Sequence, residues 1–232
     1  MITLPDSKIK NEIVDFLRDL VIIVAVVLFI TNFVGMNFQI NGQSMYTSYY
    51  DREFIVVDRL SYRFSEPERG DVVVFTPHVH REKKYFLKRI IGLPGDQVKI
   101  EAGEVYVKPG GEGNYIQLNE AYLSENNNGK TNVNGSTGIH EYSVPEDSYF
   151  VMGDNRNHST DSRTCFASCF SGVTDAFITS DDITGKVWMD LGFFSVKDFG
   201  FTHPTLRIST APRFFDSPRI WNYPELGNDS TS

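Results

Sequence analysis

A serine hydroxyl attacks an acyl group only when a base accepts its proton, and a neutral lysine amine can serve as that base. The chain offers one candidate for each role. Ser44 lies in Gly42-Gln43-Ser44-Met45, just past an uncharged apolar run. Lys88 lies in Tyr85-Phe86-Leu87-Lys88-Arg89-Ile90-Ile91, a run that reads as a β-strand. Strand side chains alternate between faces, so Lys88 shares its face with Phe86 and Ile90, and Arg89 shares the other with Leu87 and Ile91. An unperturbed lysine, with a pKa of ~10.4, is neutral about 0.04% of the time at pH 7. Burial on an apolar face disfavours the charged form and can lower the pKa by up to ~3–5. That brings the amine toward neutrality, where a general base works best.

Other chemistries have less support. The formal net charge of −8 argues against a nucleic-acid partner, because phosphate binding needs basic surface. The two cysteines, Cys165 and Cys169, cannot build a zinc site alone, and fit a short-range disulfide or two ordinary thiols equally well. His78 and His80 share a strand face by spacing, but no third ligand is apparent, so no metal or cofactor is expected.

The elements that must position Ser44 and Lys88 follow from patterning. Residues Leu20 to Met36 carry no charge. With Phe38 and Ile40 included, the run is long enough for a ~30 Å hydrocarbon layer, and a transmembrane anchor is expected over residues 19–38. It lacks the small-x-small cleavage site of a signal peptide. Lys8, Lys10 and Arg18 precede the run and the next basic residue is Arg52, which puts residues 1–18 in the cytoplasm and the rest outside. Beyond the anchor, Glu53–Asp58, Asp71–Phe75, Gln97–Ile100, Glu104–Val107 and Ser148–Met152 read as strands. Gly92-Leu93-Pro94-Gly95-Asp96 reads as a type II turn. Residues 124–138 are a polar loop with little to bury. The expected fold is mainly β: an antiparallel β domain over residues 39–190, with an insert or second small β region, on one N-terminal transmembrane helix. Residues 191–232 form an extension too aromatic for a disordered tail, suited to packing on the body or to a membrane interface.

Four segments occur in order: Phe38-Gln39-Ile40-Asn41-Gly42-Gln43-Ser44-Met45, Arg69-Gly70-Asp71-Val72-Val73-Val74-Phe75, Lys88-Arg89-Ile90-Ile91-Gly92-Leu93-Pro94-Gly95-Asp96, and Gly153-Asp154-Asn155-Arg156-Asn157-His158-Ser159-Thr160-Asp161-Ser162-Arg163. Over about residues 20–190 the chain resembles the type I signal peptidases, the bacterial leader peptidase family. The resemblance implies a membrane-bound serine endopeptidase that removes signal peptides from secreted preproteins after small residues at −1 and −3. It implies Ser44 as nucleophile, Lys88 as general base, and Ser159 as the hydroxyl that orients the lysine amine. Asp161 and Arg163 match a structural ion pair, and Asp154 and Arg156 belong to the same supporting segment. Phe38, Ile40, Val74, Phe86 and Leu87 match groove positions where substrate binds as an added strand. The implied setting is the plasma (inner) membrane, single-pass, near the secretion translocon, with preprotein signal peptides and the lipid bilayer as partners.

The chain departs from the family pattern in three places. Gly42 stands where many relatives carry an oxyanion-hole serine, which leaves the Ser44 backbone N–H as the main donor. Thr47-Ser48-Tyr49 replaces a Pro-Thr-Leu, so Tyr49 stands where a leucine lines a pocket. An insertion of about residues 164–178 follows Arg163. The Tyr49 change keeps open a specialised relative that matures pilins or a narrow substrate set. The soluble self-cleaving Ser-Lys repressors lack such an anchor, and a non-catalytic binding module would not need Ser44, Lys88 and Ser159 together.

Overall fold

A computed structural model describes residues 6–29, 35–78, 84–133, 140–167, 176–195, 200–202 and 225–226. One helix, α1 (Asp6–Phe29), precedes thirteen strands among these residues. They are β1 (Gly35–Gln39), β2 (Phe54–Asp58), β3 (Val72–Phe75), β4 (Phe86–Gly92), β5 (Gln97–Glu101), β6 (Glu104–Lys108), β7 (Ile116–Asn119), β8 (Glu141–Ser143), β9 (Ser148–Met152), β10 (Ile178–Thr179), β11 (Ile183–Ser195), β12 (Gly200–Thr202) and β13 (Glu225–Leu226). The larger sheet has the order β1-β2-β11-β3-β4-β9-β10, with β12 paired to β11. The second has the order β13-β7-β6-β5-β8. Every pairing is antiparallel.

Residue patterning explains where each strand lies. β5 and β6 bury Val98, Ile100, Val105 and Val107 and leave the alternate residues partly open, as one-sided strands do. β3 and β9, with Val72-Val73-Val74-Phe75 and Ser148-Tyr149-Phe150-Val151-Met152, are buried throughout and flank β4. Ile91, Val98, Ile100, Val105, Val107, Tyr142 and Phe150 form one core cluster, which draws residues from both sheets. The connection between the sheets is the expected turn: Asp96 N–H donates to Leu93 O at 3.0 Å, and Gly95 takes a φ of +80°, which glycine adopts without a Cβ clash. The Asp96 carboxylate fixes the corner by accepting from Leu93 N–H at 2.7 Å, Gly110 N–H at 3.0 Å and Arg69 Nη1 at 2.9 Å.

The N-terminal segment differs from expectation. α1 ends at Phe29, and Gly35–Gln39 is a strand paired with β2. Phe38 and Ile40, expected to lengthen a membrane span, belong instead to the sheet and its edge, where Ile40 N–H donates to Glu53 O at 2.8 Å. The uncharged part of α1 is Leu20–Phe29, about 15 Å at 1.5 Å per residue. Among the described residues no helix is long and apolar enough to cross a membrane. Within α1, Glu12, Asp15, Arg18 and Asp19 occupy the turns before Leu20, residues 30–34 of the expected span lie outside the described residues, and Met36 and Phe38 lie in β1.

The polar loop also differs. Asn127 and Thr131 are buried, while Val133, an apolar residue at the loop's edge, packs against the core as its type suggests. Of the insertion, residues 164–167 and 176–178 are described. Phe166 is fully buried, with its ring edge-on to Phe75 and Phe86 at 5.5 Å and 5.9 Å. Cys165 is buried and disulfide-bonded. Of the C-terminal aromatics, Phe199, Phe214, Phe215, Trp221 and Tyr223 lie outside the described residues, while β13 adds to the second sheet through Leu118 and Asn119.

Candidate active site

Lys88 enters the site from the centre of the larger sheet, opposite Val73. Its Nζ lies 2.6 Å from Ser44 Oγ and donates to Leu87 O at 2.8 Å. The amine also sits over the Phe86 ring, 5.6 Å from its centroid, in keeping with the shared strand face. The residue is 3% exposed, and among the described residues no carboxylate pairs with it as a salt bridge. Burial pushes the amine down to about 8. Asp161 and Asp154 pull it partly back up from a distance, while Arg163 and Lys84 push it further down.

Ser44 is presented by the turn that follows β1. Tyr46 N–H donates to Gln43 O at 3.1 Å, and Tyr49 N–H to Met45 O at 2.8 Å, so the chain curls tightly around the serine. The serine's own carbonyl accepts from Asn155 N–H at 2.9 Å, and Asn155 Nδ2 donates to Gln43 O at 3.0 Å. These two bonds dock the Gly153–Arg163 segment against the serine turn. Gly153 makes the approach sterically feasible, because a Cβ there would collide with both Ser159 Oγ and Ser44 O. Gly42 is exposed with a φ of +111°, and its N–H donates to the Asp51 carboxylate at 2.7 Å.

The supporting segment is a network of buried ions. Asp161 accepts two bonds from the Arg163 guanidinium, Nε at 2.9 Å and Nη2 at 2.7 Å, one from the Arg163 backbone N–H at 3.2 Å, and one from Gly153 N–H at 3.0 Å. Burial alone would raise the Asp161 carboxyl, but the Arg163 charge and these hydrogen bonds outweigh it and hold the group below the ordinary range. Ser159 Oγ is buried beside Gly153 and helps to hold the Asp161 carboxyl down, but among the described residues it has no hydrogen bond of ordinary geometry, and Lys88 Nζ reaches Leu87 O. Asp154 pairs with Arg89 through two bonds, Nε at 2.9 Å and Nη2 at 2.7 Å, with both side chains almost fully enclosed. Arg156 pairs with Glu120.

The sequence-predicted groove residues divide into two groups. Phe38, Ile40, Tyr49, Val74 and Leu87 pack in one cluster together with Met45. Phe86 belongs to a different cluster, with Val73, Phe75 and Phe166. Tyr49 is fully buried, so its ring occupies the interior of the first cluster. His78 hydrogen-bonds Asp182 at 2.9 Å and His80 lies outside the described residues. Two cavities, of about 460 Å³ and 290 Å³, flank the Ser61–Arg63 turn, away from Ser44 and Lys88. Sequence reasoning missed two ions at the site. Arg89 adjoins Lys88 and was read only as occupying the opposite face. Glu120 has no nearby sequence signal, being 36 residues from Arg156.

The site is therefore a serine hydroxyl beside an amine whose charged form burial disfavours, set in a β scaffold by a buried ion network. A family model for signal peptidase, peptidase S26, matches residues 13–191. The chain belongs to that family, and is a serine-type endopeptidase. It is 35% identical over 157 residues to a signal peptidase I of Bacillus amyloliquefaciens, covering 66% of this chain and 79% of that one. It is 34% identical over 164 residues to a probable signal peptidase I-2 of Synechocystis, covering 68% and 67%. A crystal structure of a signal peptidase I from Enterococcus faecalis aligns with 53% of this chain and 97% of that chain, at 29% identity and a TM-score of 0.37.

Proposed function

We propose that this chain removes signal peptides from preproteins, with Ser44 as nucleophile and Lys88 as general base. The observation that carries the mechanism is the 2.6 Å approach of Nζ to Oγ by a lysine that is buried without a carboxylate partner. At pH 7 an amine with a pKa of about 8 is neutral roughly a tenth of the time, some hundreds of times more than a free lysine. With Nζ neutral, one N–H donates to Leu87 O and the lone pair faces the serine hydroxyl. Lys88 accepts the Oγ proton as Oγ attacks the carbonyl carbon at the substrate's −1 residue. The tetrahedral intermediate collapses, the C–N bond breaks, and Lys88 returns the proton to the leaving amine. Water, deprotonated by the same amine, then hydrolyses the serine ester and frees the signal peptide.

The Ser44 backbone N–H is the proposed oxyanion donor. Gly42 contributes room rather than a second N–H, since its own is engaged by Asp51. A donor of this kind contributes about 2.7–4 kcal/mol in the transition state. Phe38, Ile40, Tyr49, Val74, Phe86 and Leu87 are the proposed walls for the −1 and −3 side chains, and an extended substrate adds as a strand beside them. Asp154, Arg156, Asp161 and Arg163 hold the Gly153–Arg163 segment against Ser44, and Ser159, beside Gly153, is the hydroxyl proposed to orient the Lys88 amine during turnover.

The setting is proposed to be a membrane, entered from the cytoplasmic side through the apolar run that begins at Leu20 and stops short of β1. The support is physical. Val14, Phe16, Val21, Ile22, Ile23 and Val27 of α1 are each at least half exposed, and such a surface is expected to seek a lipid cover. Incubation of the full chain with a preprotein bearing an Ala-x-Ala site, followed by mass spectrometry of the products, tests the activity. Release of the leader at that site is expected, and an intact preprotein would contradict the proposal.

A further inference from the structure

Arg156 is completely enclosed, and its guanidinium has five N–H donors to satisfy. All five are used. Nε donates to Gly153 O at 3.2 Å, Nη1 to Glu120 Oε2 at 2.7 Å and Thr131 Oγ1 at 3.0 Å, and Nη2 to Glu120 Oε1 and to Tyr122 Oη at 2.8 Å. Tyr122 Oη in turn donates to Glu120 Oε1 at 2.7 Å. Glu120, Tyr122 and Thr131 thus form a socket shaped to one planar cation. All three lie after β7, in a stretch that leaves the second sheet and reaches the Gly153–Arg163 segment.

The same stretch grips that segment at further points. Arg163 Nη1 donates to Asn132 O at 2.8 Å, Asn157 Nδ2 to Lys130 O at 2.9 Å, and Asn132 N–H to Asn157 Oδ1 at 3.2 Å. The Tyr122 ring covers the Arg89 guanidinium at 4.0 Å, and Arg89 holds Asp154. On its other side the Gly153–Arg163 segment meets Ser44 through Asn155. The segment is therefore clamped between the serine turn and the socket.

We infer that Glu120, with Tyr122 and Thr131, is a positioning element for the Ser44–Lys88 pair, acting through Arg156 and the Gly153–Arg163 segment. The inference rests on the peptidase reading of that pair. Glu120 touches neither Ser44 nor Lys88, so its effect passes through geometry. A buried guanidinium that loses its carboxylate leaves donors unmet, and the segment must shift or admit water. A shifted segment loosens the Asn155 bonds to Ser44 and Gln43. Water reaching Lys88 would restore hydration to an amine whose main charged influences are Asp161, Asp154, Arg163 and Lys84.

The test compares the wild-type chain with Glu120→Gln, Glu120→Asp and Tyr122→Phe, each checked for folding by near-ultraviolet circular dichroism. Three readouts are taken: kcat and KM on a preprotein, the pH at the acid midpoint of the rate profile, and the Lys88 titration followed by nuclear magnetic resonance. Glu120→Gln and Tyr122→Phe are expected to lower kcat by about 10- to 100-fold with KM within about threefold, the cost of misplaced reacting groups. Tyr122→Phe, which leaves the charge balance unchanged, should move the acid midpoint and the Lys88 titration to higher pH, and Glu120→Asp, which keeps the charge, should hold kcat nearer wild type than Glu120→Gln does. Tyr122→Phe decides if Glu120→Gln does not fold, since it removes one hydroxyl and leaves the ring over Arg89. Folded variants with wild-type kcat and an unmoved Lys88 titration would overturn the inference. A wild-type chain that cleaves no preprotein would instead defeat the peptidase reading, and the Lys88 titration would still show whether Glu120 positions the amine.

Discussion

Lys88 and Arg89 are neighbouring cations on β4, both buried, and they stand in opposite electrostatic settings. Arg89 meets Asp154 through two hydrogen bonds, gives a third to Gly70 O at 2.9 Å, and lies under the Tyr122 ring. Burial opposes its charge, but Asp154 more than offsets this, and its pKa is raised. Lys88 has a hydroxyl, a carbonyl and an aromatic face, with its carboxylates held at a distance. Burial is the largest influence on both groups, and the presence of a carboxylate partner decides whether the pKa rises or falls. Placing the two on one strand lets a single rigid element carry a structural cation and a reactive amine. The difference predicts that removing one costs catalysis and removing the other costs stability.

The largest expected effect is on turnover. Lys88→Met and Ser44→Ala should each lower preprotein cleavage by about 10⁴-fold or more, because nucleophile and base act as a unit. A cleavage assay that finds either variant within tenfold of wild type would break the catalytic side of the comparison. Next is Arg89→Met, which leaves Asp154 charged and enclosed. A loss of about 3–5 kcal/mol in chemical denaturation is expected, and a loss under 1 kcal/mol would mean the pair is not structural.

A smaller effect of opposite sign is expected for the stability of Lys88→Met. The Lys88 amine falls from 10.5 to about 8 on folding. The folded state therefore holds fewer protons than the unfolded state between about pH 8 and 10.5, and stability rises with pH across that window. Below about pH 8 the full cost of burying the charge applies, about 3 kcal/mol at about 1.4 kcal/mol per pH unit. Lys88→Met should be more stable than wild type by about 1–3 kcal/mol at pH 6–7, with the gain shrinking above pH 8. Thermal denaturation at three pH values checks this, and a variant less stable at pH 6 than wild type would contradict it. The mildest expectation concerns rate against pH. The acid limb of kcat/KM should have its midpoint near the Lys88 value of about 8, and a flat profile from pH 5 to 9 would remove lysine from the base role.

Much of this was legible in the sequence. The strands Glu53–Asp58, Asp71–Phe75, Gln97–Ile100 and Ser148–Met152 appear within a residue or so of the observed bounds, because β-branched runs between turn residues leave few alternatives. The chain motifs brought Ser44, Lys88, Asp161 and Arg163 to attention in order. Strand alternation placed Arg89 opposite Lys88 but carried no cue to its ion pair with Asp154. β4 lies between β3 and β9, and Lys88 and Arg89 are both buried on it. Phe38 and Ile40 were ambiguous for a related reason: an apolar run does not reveal whether it continues a helix or opens a sheet. The polar stretch after residue 124 read as a bare loop because its value is in carbonyls and a hydroxyl offered to Arg156 and Arg163, which no hydrophobic pattern records. Glu120 was invisible for want of any local cue, since its partner arrives from a distant segment.

The central claim is that burial without a carboxylate partner keeps Lys88 available as a base while its neighbour remains a fixed cation. The most direct measurement is the titration of the Lys88 amine by nuclear magnetic resonance, using isotope-labelled lysine in the full chain, with Lys88→Met to assign the signal. Titration centred near pH 8 is predicted. Titration above pH 10, as for a solvated lysine, would contradict it.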